Sequence, residues 1–172
     1  MARKQANVRT LAVKKPRLKR RAAAPRAPAR ALDLGGLDQV IGYAIRRAQV
    51  AVFQDYDELT ADLGITTIQF SVMRLAHANP GLNQTALANA LGADTPRMVL
   101  IIDDLERRGL VVRLASTVDR RSRAIFLTPD GRKLHTVLSK RVAEQNRRMV
   151  KRLRGDNKDH LLRMLHKLAT TL

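Results

Sequence analysis

Three breakers, Asn79-Pro80-Gly81, Gly92 and Gly109, confine residues 83–108 to two short helices, and this confinement restricts the fold more than any other feature of the chain. Asn83 is placed to cap the first helix, QTALANALG, which Gly92 closes. Asp94 is placed to cap the second, where Pro96 is tolerated because first-turn N–H groups have no partner inside the helix. Met98, Ile101, Ile102 and Leu105 recur at helical spacing and form its spine. After Gly109 the pattern changes to β-branched residues. LVVRL and SRAIFLT predict two short strands joined by ASTVDRR.

Helical patterns lie on both sides of this unit. Over 36–55, Leu37, Val40, Ile41, Ala44, Ala48, Ala51 and Val52 form one apolar stripe, with Asp38 near the favourable end of the helix dipole. Residues 57–65 read as a connection ending in Gly64. The helix TTIQFSVMRLAHAN follows, capped by Thr66, with Ile68, Val72, Leu75 and Ala76 facing inward. Beyond the strands, Asp130 and Gly131 lead into a long helix over about 131–153. Gly155-Asp156 breaks it, and a last helix carries Leu161, Leu162, Leu165 and Leu168 on one face. Hydrophobic residues make up 45% of the chain but aromatics only 3%, so the core is aliphatic and helices are favoured over a β-sandwich. The expected fold is mainly α with a small β-hairpin wing. A winged helix-turn-helix lobe spans 57–130, and a helical dimerisation region is built from 32–56 and 131–172.

The formal net charge of +18 is unevenly distributed. Residues 1–31, including KKPRLKRRAAAPRAPAR, hold 11 of the 33 Lys/Arg and none of the 15 Asp/Glu. Such a block resists folding and suits a polyanion, so a basic disordered tail and a nucleic-acid partner are expected. The absence of cysteine excludes disulfides and thiolate metal sites. No signal-peptide-like or membrane-spanning apolar run is present, so no membrane partner and a cytoplasmic location are expected. The sequence carries no glycine-rich phosphate loop, nucleophile elbow or HExxH, and its four histidines lack metal-ligand spacing. We expect no enzyme, no cofactor and no metal.

In a winged helix-turn-helix, the second of the two short helices enters the major groove with its N-terminal residues, and the hairpin tip reaches the adjacent minor groove or backbone. Thr95, Pro96 and Arg97 form the reading end. Asp119-Arg120-Arg121 form the tip, with Arg123 beside it. A homodimer would cover the flanking apolar stripes and set two reading helices about 34 Å apart, one turn of DNA.

Over roughly residues 37–172 the sequence resembles the multiple-antibiotic-resistance regulator (MarR) family. The resemblance is carried by TTIQFSVMRLAHANPGLNQTALANALG, IIDDLERRGLVVR and DRRSRAIFLTPDGR. It implies a homodimeric winged-helix repressor on a pseudo-palindromic operator, released by a small, often aromatic, anionic effector. It further implies that Arg121 is the minor-groove arginine and that Asp119 supports the wing by a salt bridge. Asn83, Gln84 and Thr85 would touch phosphates, and Thr95, Arg97 and Val99 would lie on the recognition face. Arg97, Leu100 and Asp104 depart from the family's usual residues, which implies a different operator preference.

For the effector, a helical wheel puts Arg47 and Tyr43 on the flank of the first helix's apolar stripe, where an arginine can pair with a carboxylate or phosphate. Met73 and His77 on the second helix are candidates for the same cleft. The expected ligand is an aromatic acid or an aryl coenzyme A thioester. The alternative is an architectural, nucleoid-type DNA-binding protein without an effector, using mainly backbone contacts. RNA binding is disfavoured by the lack of exposed aromatics, since Phe53, Phe70 and Phe126 fall in or near core patterns.

Overall fold

The computed structural model describes residues 32–115, 123–153 and 158–170. Residues 38–172 group into one compact unit. Its elements are α1 (Ile41–Thr60), α2 (Thr67–Ala78), β1 (Leu82–Asn83), α3 (Gln84–Leu91), α4 (Thr95–Arg107), β2 (Val111–Ala115), β3 (Arg123–Leu127), α5 (Pro129–Arg152) and α6 (Lys158–Thr170). The chain is thus mostly helical with one small antiparallel sheet.

The caps form where the sequence places them. The Thr66 hydroxyl accepts the Gln69 N–H, and the Gln69 side chain reaches back to the Thr66 N–H, a complete capping box. Asn83 Oδ1 accepts the Ala86 N–H at 2.8 Å, and Asp94 Oδ1 accepts the Arg97 N–H at 2.7 Å. Gly92 closes α3 in the left-handed region, at φ 58°.

Four boundaries differ from expectation. The first long helix, read over 36–55, starts only at Ile41. The 57–65 connection is too long, because α1 continues to Thr60. Asp57 and Glu58 look like loop residues but only occupy its exposed side, while Tyr56 and Thr60 are buried beneath. α5 begins at Pro129 rather than 131. Thr128 caps it by accepting the Gly131 N–H at 3.0 Å, and Pro129 fills the tolerant first position. The sheet has three strands in the order β1-β3-β2, not two. Leu82 pairs with Ile125 and Asn83 with Ala124, so Asn83 both ends a strand and caps α3. Two residues are too few to show an alternating pattern.

The core collects Val72 and Met73 from α2, Leu87 from α3, Met98, Ile102 and Leu105 from α4, Val111 and Ile125 from the sheet, and Leu138 from α5, all essentially inaccessible. Burial of this kind contributes about 1.5–3 kcal/mol per large side chain before the entropy of ordering is counted. It docks α4 by its inner face and leaves its outer face in solvent. Arg148 binds Asp55 at 2.9 Å and Gln145 donates to the Val52 carbonyl at 2.9 Å, fastening α5 to α1. Burial works against charge on Asp55, but Arg148 and Gln145 outweigh it and hold the carboxyl below its ordinary range.

Candidate nucleic-acid interface and the adjoining cavity

The first turn of α4 presents Thr95, Pro96 and Arg97 to solvent, with Val99 half-buried. Asn83 and Thr85 are exposed and Gln84 is half-buried on the neighbouring helix α3. All seven lie on the α3–α4 pair and its short link. Arg123 is exposed at the start of β3, paired with Ala115. Asp119, Arg120 and Arg121 fall outside the described residues.

Acidic side chains on α4 would repel DNA if left unpaired, and they are paired. Arg113 on β2 binds Asp103 and Glu106, each at 2.6 Å. Asp104 accepts from Gln69 Nε2 at 2.8 Å and is paired with Arg107. Arg108 sits at the C-terminal end of α4. Its guanidinium donates to the carbonyls of Gly64 and Leu63 at 2.8 and 3.0 Å, tying the C-terminal end of α4 to the loop after α1. Arg97 makes no side-chain hydrogen bond or ion pair among the described residues.

A cavity of about 460 Å³ opens beside this reading end. Gln49, Phe53 and Asp57 line it from α1. Thr66, Thr67, Ile68 and Ser71 line it from the start of α2, and Leu91 and Arg97 close it from α3 and α4. Gln49, Phe53 and Asp57 are spaced four apart and so share one stripe of α1. Arg46 lies on the same stripe, and its guanidinium donates to Gln49 Oε1 at 3.0 Å. At about 100° per residue, Arg47 points roughly 160° away from Gln49 and Tyr43 roughly 120° away.

The four effector candidates therefore do not converge on this cavity. Arg47 is exposed and Tyr43 half-buried on other sides of α1. Met73 is inaccessible within the core, because it lies on the face of α2 that α4 and α5 cover. His77 is exposed, but its ring lies against that of His135 of α5, with centroids 4.4 Å apart and planes tilted by 32°. His135 is itself buried, stacks on Phe70, and approaches the Ser139 hydroxyl at 3.3 Å. Burial, and then the nearby charges of His77 and Arg74, lower its pKa below 6.5. Among the described residues no group of three or more metal-ligating side chains forms around the pair.

Sequence reasoning missed the cavity because its lining comes from four helices up to 48 positions apart, a convergence that no local pattern reports. One signal was available. Phe53 shares the Gln49–Asp57 stripe of α1, and although it falls near a core pattern it is 41% exposed and lines the cavity.

Comparison with known proteins agrees with this architecture. A model of the MarR family matches residues 65–122. A candidate transcriptional regulatory protein for the hcr operon of Thauera aromatica is 30% identical over 135 residues, covering 78% of this chain and 81% of that one. Among solved structures, the transcriptional repressor CouR bound to a 23-mer DNA duplex is 44% identical with a TM-score of 0.76, covering 80% of this chain and 98% of that chain. CouR bound to p-coumaroyl-CoA is 41% identical with a TM-score of 0.74, covering 80% and 97%. With the helix-turn-helix, the sheet and the core in the same arrangement, the chain belongs to the MarR family of DNA-binding, winged-helix transcriptional regulators.

Proposed function

We propose that this regulator is a homodimeric repressor of a pseudo-palindromic operator, released by an anionic aromatic molecule, either an aromatic acid or its coenzyme A thioester. The observation that carries the reading is the cavity shared by α1 and the first turn of α4, because one ligand there touches both the helical scaffold and the reading end. Phe53, Ile68 and Leu91 supply apolar walls for a ring. Arg97 on one wall and Arg46 next to Gln49 supply cations for a carboxylate or phosphate. A ligand that engages Arg97 withdraws it from DNA, and a polyanionic thioester adds repulsion from the backbone phosphates. The repressor CouR, whose structures hold DNA and p-coumaroyl-CoA, supports this ligand class.

The dimer is supported by apolar side chains left in solvent. Val40, Ile41 and Ile45 of the α1 region are 42–65% exposed, and the Leu161, Met164, Leu165 and Leu168 stripe of α6 is 39–52% exposed. Apolar stripes left exposed in this way are the kind of surface an interface covers.

Titration calorimetry with p-coumarate, benzoate and their coenzyme A thioesters tests the ligand site. At least one compound binds the wild type, and Arg97→Gln and Arg46→Gln each weaken it about tenfold or more, the worth of a hydrogen bond to a charged group. Unchanged affinity in both variants would move the site elsewhere on the molecule.

A further inference from the structure

α4 has one large apolar side chain on the wrong side for folding. Leu100 is 69% exposed, whereas Met98, Ile102 and Leu105 of the same helix are wholly buried. At about 100° per residue the buried spine is centred almost opposite Leu100, so this side chain stands at the middle of the outer face. It contributes nothing to the core. Its neighbours one turn away are Pro96, also exposed, toward the N-terminus, and Asp103 and Asp104 toward the C-terminus, both held by ion pairs. The centre of the face is thus an apolar spot bordered by Arg97 and by neutralised acids.

A leucine has no donor or acceptor and cannot read the hydrogen-bonding edge of a base. In the major groove the one apolar protrusion is the C5-methyl group of thymine. We propose that Leu100 is a specificity-determining residue that selects thymine in each operator half-site by packing on its C5-methyl group. The inference rests on the winged-helix reading of α4, and goes beyond it by assigning a base and an atom to a side chain.

The test removes that atom alone. The binding site within the gene's own upstream DNA is first mapped by footprinting. Each symmetric pair of thymines in it is then replaced by deoxyuridine, which deletes the methyl group and preserves base pairing. Affinity is measured for the full chain and for Leu100→Ala. At one thymine pair the wild type loses about fourfold per half-site, the worth of one buried methyl group, and about fifteenfold for both. In Leu100→Ala that loss disappears, while affinity for the thymine operator is already reduced. Because Leu100 is exposed, Leu100→Ala melts within about 1 °C of the wild type, which separates a reading defect from a folding defect. A deoxyuridine penalty that is the same in both proteins at every position, or an unchanged affinity of Leu100→Ala for the thymine operator, overturns the inference while leaving the operator-binding reading intact. Absence of any footprint overturns both.

Discussion

Gly131 shows how a single residue can matter for a reason its place in the sequence does not reveal. It sits inside the first turn of α5 with an ordinary helical backbone, so neither a turn nor a positive φ requires glycine there. Its role is close approach. A Cβ built there would lie 1.9 Å from the Leu110 carbonyl oxygen, which is fixed by accepting the Thr128 N–H at 3.1 Å. The Thr128 hydroxyl donates to the Gly109 carbonyl at 2.7 Å and tightens the same junction. Gly131→Ala is therefore expected to destabilise the fold by about 3 kcal/mol, the upper range for overpacking, and to lower the Tm by about 10 °C. Calorimetric melting checks this, and a loss under 2 °C would show that the α4–β2 turn yields freely. Caps were legible at this scale because each cap acts over three residues. Asn83, Asp94 and Thr66 all bond as their spacing predicts. The close approach at Gly131 was not legible, because its partner is 21 positions away and is backbone.

At the scale of elements, the hydrophobic period located α1, α2, α4 and α6, while caps and breakers marked α3 and the start of α5. What the period could not supply was the end of α1, where exposed acids mask a buried side, or the two-residue strand β1. It also could not pair α2 with α5. That junction holds the one buried histidine among the described residues, His135, between Phe70 and His77. With its folded pKa below the unfolded value of 6.5, the unfolded chain takes up the proton first. The stabilisation is fully present above about pH 6.5 and is lost as pH falls toward the lower folded pKa. Asp55, Asp62 and Glu144 have lowered pKa values and lose their contribution only in the more acidic carboxylate range. The wild type is thus expected to lose Tm between about pH 7.5 and 5.5, and His135→Phe to lose distinctly less. Parallel losses in the two proteins would assign the acid sensitivity to other groups.

At the scale of the whole molecule, the described chain has two surfaces its own fold does not use. One is the outer face of α3 and α4, with Arg97 and Leu100. The other is the apolar front of α1 together with the stripe of α6. In the proposed function the first surface meets DNA and the second meets another copy of the chain, and the cavity is lined by α1, α2, α3 and the first turn of α4. The exposed leucine stripe of α6 was legible in sequence as a helical pattern, and the Asp119-Arg120-Arg121 tip lies outside the described residues. The cavity was not legible, because four helices build it and Arg46 rather than Arg47 shares the stripe of Gln49 and Phe53, a distinction the apolar wheel alone did not draw.

The most direct test is a mobility shift of the full chain on its own upstream DNA, in excess unrelated competitor, with aromatic acids and their coenzyme A thioesters added in turn. The account predicts a shift that survives the competitor and is reversed by at least one compound. A shift erased by the competitor and unaffected by every compound would contradict it, and would mark the chain as a general DNA-coating protein.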